Sequence, residues 1–80
     1  MTVTNYNNSI LQWNLQSYRT KFSELKVLIR EIDPLCICLQ ETRVSTASIY
    51  APSGYAALHH PADPGNGHER GVAILINNRI

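Results

Sequence analysis

The sequence predicts an α/β fold with its elements in the order β-α-β-β-β, and three features predict it. A short apolar run near the front carries β-branched and aromatic residues. It is followed by apolar residues spaced three and four apart. An unbroken apolar run of five then begins directly after Asp33-Pro34, a pair that stops a helix. A strand-like stretch, a helical period and a second strand-like stretch in close succession are the signature of a βαβ unit.

Ser9-Ile10-Leu11-Gln12-Trp13-Asn14 suits a buried strand that ends at Asn14. Ahead of it, residues 1–8 hold three asparagines and two threonines and little to bury, so a flexible leader is expected there, with the domain occupying 9–80. Residues 16–20 are polar and read as a loop. From 21 to 32, Phe22, Leu25, Leu28, Ile29 and Ile32 mark one face of an amphipathic helix, and Glu24, Lys26, Arg30 and Glu31 mark the other. Thr20 is the expected N-cap. Leu35-Cys36-Ile37-Cys38-Leu39 then reads as a strand buried on both faces of a sheet. Residues 42–54 have no period and read as a surface loop. Tyr55 to His59 suits a third strand, and the Pro- and Gly-rich stretch from Pro61 to Gly67 marks a long turn. Gly71-Val72-Ala73-Ile74-Leu75-Ile76 is a further buried strand, closed by a turn at Asn77-Asn78-Arg79.

A chain of 80 residues makes one small domain that buries roughly 60–65% of its unfolded surface, a thin margin. A net charge of +1 and a pI near 7.8 exclude the strongly basic footprint of a non-specific nucleic-acid binder, so a partner must be argued from a site. Without an apolar run of about 20 residues or a secretory start, the expected setting is intracellular, nuclear or cytoplasmic, away from membranes. Cys36 and Cys38 would share one strand face about 6.6–7 Å apart, too far for an easy bridge, and read as free, mostly buried thiols. With His59, His60 and His68 they match no standard zinc spacing. Gly65-Asn66-Gly67 runs into His68-Glu69-Arg70 and lacks the Lys-Ser/Thr of a phosphate-binding loop.

A right-handed crossover makes the two strands around the helix parallel, so their carboxyl ends open on one edge, where open α/β sheets place ligands. Asn14 and Gln40-Glu41 should meet there. A carboxylate at that rim suits a hard cation such as Mg²⁺, and an asparagine beside it can donate to a phosphate oxygen or hold the carboxylate. On these residues alone the plainer alternative, a solvated glutamate and a turn-making asparagine, is favoured.

Ile10-Leu11-Gln12-Trp13-Asn14, followed after a helix by Leu39-Gln40-Glu41-Thr42, resembles the opening of the endonuclease/exonuclease/phosphatase family, which includes apurinic endonucleases and DNase I-like nucleases. Arg70-Gly71-Val72-Ala73-Ile74-Leu75-Ile76 is similar to the family's glycine-led strand. The resemblance runs from about Ser9 to the end. It implies the N-terminal portion of a DNase I-like two-sheet α/β sandwich, incomplete in this chain, and Mg²⁺-assisted hydrolysis of a phosphodiester. Asn14 and Glu41 inherit the catalytic positions, with Glu41 as metal ligand and Asn14 orienting the phosphate or attacking group. Gln40 would support the site and Arg43 would touch DNA backbone, though a solvated-surface role is an equal alternative for both. Within the family, Gln-Trp-Asn and a Phe-x-x-Leu helix entering Asp-Pro-Leu-Cys look most like jockey-type non-LTR retrotransposons. There the domain precedes a reverse transcriptase in the same polypeptide and nicks DNA to expose a 3′-hydroxyl primer.

The departures from the family pattern are as informative. Two residues after the strand-end asparagine, where many members carry an acidic or amide side chain, Gln16 keeps hydrogen bonding but supplies no charge. Neither Asp33-Pro34-Leu35 nor Asp63-Pro64-Gly65 matches the later Asp-x-Asn motif, and the terminal Asp-His pair is missing. His59, His60 and His68 come too early to replace it, and Tyr18, Tyr50 and Tyr55 do not fall on the family's catalytic tyrosine. The expectation is a marginal fragment, inactive alone, with open apolar strands. The alternatives are a non-catalytic remnant or interaction piece, and a phosphatase of the same fold family.

Overall fold

The computed structural model describes residues 2–3, 9–63, 65 and 70–79. Within them the chain forms β1 (Thr2–Val3), β2 (Ile10–Asn14), α1 (Tyr18–Ile32), β3 (Cys36–Gln40), β4 (Tyr55–Ala62) and β5 (Arg70–Asn77). The expected β-α-β-β-β order holds from residue 9 onward. The stretch read as a leader contributes β1, which pairs antiparallel with Leu11 and Gln12 of β2. The other residues of that stretch, and His68 with most of the Pro- and Gly-rich turn, lie outside the described residues.

One mixed sheet results, in the order β1-β2-β3-β5-β4. β2 and β3 run parallel through the α1 crossover, with Asn14 opposite Gln40. β5 lies antiparallel to β3, Gln40 opposite Val72, and β4 closes the far edge. Its edge position explains how β4 runs on through Pro61, which was expected to begin a turn: an edge strand needs no N–H on its outer side.

The helix begins a turn earlier than its apolar spacing suggested. Ser17, not Thr20, is the N-cap, accepting from the Thr20 N–H at 3.4 Å. Tyr18 extends the stripe of Phe22, Leu25, Ile29 and Ile32 by one four-residue step, is only 4% exposed, and donates its hydroxyl to the Tyr50 carbonyl at 2.7 Å. A tyrosine inside a polar run gave no apolar signal, although its ring belongs to the core. The helix ends as expected at Asp33, in the left-handed conformation, whose N–H reaches the Ile29 carbonyl at 2.8 Å.

α1 covers one face of the sheet. Leu11, Ile37, Leu39 and Leu75 on that face join Leu25 of the helix in the core, each at most 1% exposed and each contributing roughly 1.5–3 kcal/mol by burial. The other face is open: Leu58 is 63% exposed, Val72 50%, Ile10 45% and Ile74 41%. The expectations that β3 is buried on both faces and that β5 is a buried strand are therefore corrected. Their apolar residues alternate between a helix-covered face and one that nothing among the described residues covers. Cys36 and Cys38 lie on the open face, free as expected but half-buried rather than mostly buried.

Candidate active site

Parallel β2 and β3 bring their carboxyl ends to one rim. Beyond them the chain turns through left-handed backbone at Gln16 (φ 56°), Glu41 (φ 55°) and Arg43 (φ 57°). Each such non-glycine residue costs on the order of 1–2 kcal/mol and persists only where neighbours fix it.

The fixing contacts surround Thr42, which is fully buried. Its N–H donates to the Gly71 carbonyl at 3.1 Å, its carbonyl accepts from the Tyr18 N–H at 2.8 Å, and the Arg43 N–H donates to the Arg70 carbonyl at 2.8 Å. Its hydroxyl lies 2.9 Å from His59 Nε2, while His59 Nδ1 lies 3.1 Å from the Thr46 carbonyl. A carbonyl only accepts, so Nδ1 carries a proton, and in the neutral ring Nε2 accepts from the Thr42 hydroxyl. Gly71 permits this packing. Its φ is +87°, and a Cβ there would sit 2.1 Å from Thr42 Oγ1.

Glu41 projects from this braced segment. Asn14 Nδ2 donates to its Oε2 at 2.6 Å, and Arg43 Nη2 and Arg70 Nη1 donate to its Oε1 at 3.3 and 3.5 Å. The Asn14 hydrogen bond holds the Glu41 carboxyl below the usual glutamate range, opposed by desolvation and helped by the two guanidiniums. Glu41 is therefore an anion at neutral pH, its side chain 20% exposed between arginines exposed at 53% and 59%.

The structure thus brings Asn14, Glu41 and Arg43 together. Gln40 lies beside Asn14 in register and is half-buried, but among the described residues its side chain makes no hydrogen bond to Glu41; its carbonyl accepts from the Leu15 N–H at 3.2 Å. Arg70 and His59 were not foreseen. Arg70 stood next to Gly71 in a motif chosen for its apolar strand, and only the antiparallel register of β5 on β3 carries it to the rim. His59 was weighed as a zinc ligand or base, and both its ring nitrogens are engaged by threonines.

A hard divalent cation fits this donor set in a limited way: one ionised carboxylate with a neighbouring amide, the remaining positions open to water and substrate oxygens. No group of three or more His, Cys, Asp or Glu side chains able to hold a metal occurs among the described residues. A cavity of about 330 Å³ lies between α1 and the 44–50 segment, lined by Tyr18, Phe22, Val44, Ile49 and Tyr50 among others. It holds no carboxylate. No helix among the described residues is long and apolar enough to cross a membrane.

No curated protein matches the chain. The model of the Endonuclease/Exonuclease/phosphatase family matches residues 11–80. That span takes in nearly all of β2 with its terminal asparagine, the helix, the Gln-Glu-Thr segment and the glycine-led strand, and on it the chain belongs to the endonuclease/exonuclease/phosphatase family.

Proposed function

We propose that this chain is the opening part of a Mg²⁺-dependent DNA endonuclease of the kind that nicks target DNA for a non-LTR retrotransposon, working beside a reverse transcriptase in one polypeptide. Membership of a family generally dependent on divalent metals supports hydrolysis of a phosphate ester. The observation that carries the reading is the ionised Glu41, held by Asn14 at the rim where the two parallel strands end. The Gln-Trp-Asn wording of β2 and the helix running into Asp-Pro-Leu-Cys favour DNA and the retrotransposon branch.

Glu41 is the residue that would hold the metal. When bound there, a divalent ion supplies positive charge for the phosphoryl and leaving oxygens. Asn14 fixes the Glu41 carboxylate and, from the same strand end, orients the phosphate or the attacking group. Gln40 walls the rim from the neighbouring strand, and Arg43 faces DNA backbone. His59 does not serve as general base, because its Nδ1 proton and its Nε2 lone pair are both taken by the threonine brace. With one carboxylate at the rim and no base among the described residues, we infer that the chain alone is close to inactive. Loss of acid–base assistance by itself costs roughly 10²–10⁴-fold.

The test is to read the coding frame past the codon for Ile80 and assay its product. A frame that continues into Asp-x-Asn, an Asp-His pair and a reverse transcriptase, whose product nicks supercoiled plasmid with Mg²⁺ and loses this in Glu41→Ala, is the expected result. Stops or unrelated sequence there would instead mark a non-catalytic remnant. A product that releases phosphate from an inositol phosphate without nicking DNA would place the chain among phosphatases of this fold.

A further inference from the structure

We infer that Arg43 and Arg70 form a phosphate-oxyanion seat that the Glu41 carboxylate itself fills in the unliganded protein. The inference rests on the endonuclease reading above and adds to it a substrate-binding pair and a self-occupied resting state. Two guanidiniums from different elements, the 41–43 segment and the start of β5, converge on the same oxygen, Glu41 Oε1, while Asn14 holds the other. Guanidinium presents the same fork of donors to a carboxylate and to a phosphate, so a site that gathers two arginines on one anion is built for either.

The distances separate the permanent contact from the exchangeable ones. Asn14 lies 2.6 Å from Glu41, whereas the arginines sit at 3.3 and 3.5 Å, longer than the roughly 2.7–2.9 Å of a strong charge-assisted bond. Both arginine side chains are more than half exposed, so little packing holds them on Glu41. Because both arginines lie at the surface, their attraction to the part-exposed Glu41 carboxylate is weak and screened by salt. Were Glu41 to hold a cation, both guanidiniums would be left without their anion, and the phosphate of a phosphodiester at the rim would supply the replacement. Glu41 thereby competes with substrate for the arginines until a cation engages it.

The test is a binding cycle on the whole chain in EDTA, reading anisotropy of a short fluorescent DNA duplex. Glu41→Gln empties the seat without metal and should tighten binding roughly threefold, the scale of an exposed ion pair. The gain should vanish in Glu41→Gln/Arg70→Ala, persist in part in Glu41→Gln/Arg70→Lys, and be absent from Glu24→Gln, which removes a negative charge on the helix. The log–log salt slope of Glu41→Gln should be steeper by about one than that of its Arg70→Ala partner. Inorganic phosphate added as competitor separates the two sources: displacement only at high concentration assigns the seat to a polynucleotide backbone, and ready displacement assigns it to small phosphates. An equal gain in Glu24→Gln, or a gain that survives Arg70→Ala, overturns the seat. If Glu41→Gln fails to tighten binding while the extended enzyme still nicks DNA, the seat falls and the endonuclease reading stands. If no variant binds DNA, the seat falls, and nicking by the extended enzyme alone decides the endonuclease reading.

Discussion

Asn14 Nδ2 lies 2.6 Å from Glu41 Oε2, joining side chains 27 residues apart in sequence across the carboxyl ends of two parallel strands. The contact follows from the crossover: once β2 and β3 are parallel and in register from Ile10–Cys36 to Asn14–Gln40, the residues at their ends have one rim to share. The Asn14 hydrogen bond is the main influence holding the Glu41 carboxyl below its usual range. Asn14→Ala should therefore raise the Glu41 pKa toward the ordinary glutamate value, read from its side-chain carboxyl signal by NMR. Because the folded-state pKa is depressed, the stabilisation is present above the unfolded glutamate range and is lost as pH falls through the lowered folded value. Acid should cost the wild type slightly more stability than the variant.

Gly71 is where the brace leaves no room. A Cβ there meets Thr42 Oγ1 at 2.1 Å and backbone nitrogens of Ala62 and Arg43 at 3.3 and 3.4 Å, at a φ of +87°. Gly71→Ala combines a clash with left-handed strain and should destabilise by about 2–4 kcal/mol in urea unfolding. Gly54 has the same φ but nothing within 4 Å, so Gly54→Ala should cost only the strain, about 1–2 kcal/mol.

His59→Ala removes the acceptor of the buried Thr42 hydroxyl and should cost about 1–3 kcal/mol, the penalty of an unsatisfied buried donor. His59→Gln keeps one acceptor and one donor and should recover part of that loss. A resonance shift of the Thr42 and Glu41 amides in the alanine variant, reduced in the glutamine variant, is the accompanying signature.

Burial pushes the Tyr18 phenol up to about 12. An ultraviolet phenolate titration should show the Tyr18 phenol ionising late, toward pH 12. A raised folded-state pKa stabilises fully below the unfolded value of 10.0 and loses that contribution as pH rises to about 12. Tyr18→Phe should remove the late ionisation and cost about 0.5–1.5 kcal/mol for the lost bond to the Tyr50 carbonyl.

These side chains also mark how far the sequence could be read. The apolar periods of residues 10–14, 22–32 and 71–76 place a helix on a sheet, and the parallel crossover is enough to bring Asn14 to Glu41. Arg70 and His59 escaped because what positions them is the antiparallel register of β5 and β4, a long-range pairing with no local signal. Tyr18 escaped because a polar run disguised the first turn of the helix. The apolar runs suggested burial, on both faces for β3 and as a buried strand for β5, since composition records only that a side chain is apolar, and the surface it meets is set by elements elsewhere. The turn around His68 lies outside the described residues.

The central proposal is that Glu41 is where a divalent cation and a phosphate meet. Titrating paramagnetic Mn²⁺ into isotopically labelled protein tests it most directly. Broadening should begin at the Glu41 and Asn14 side chains, spread to Arg43 and Arg70, and disappear in Glu41→Gln. Broadening centred elsewhere, at Asp33 or at the Cys36 and Cys38 thiols, or a pattern unchanged by Glu41→Gln, would contradict it.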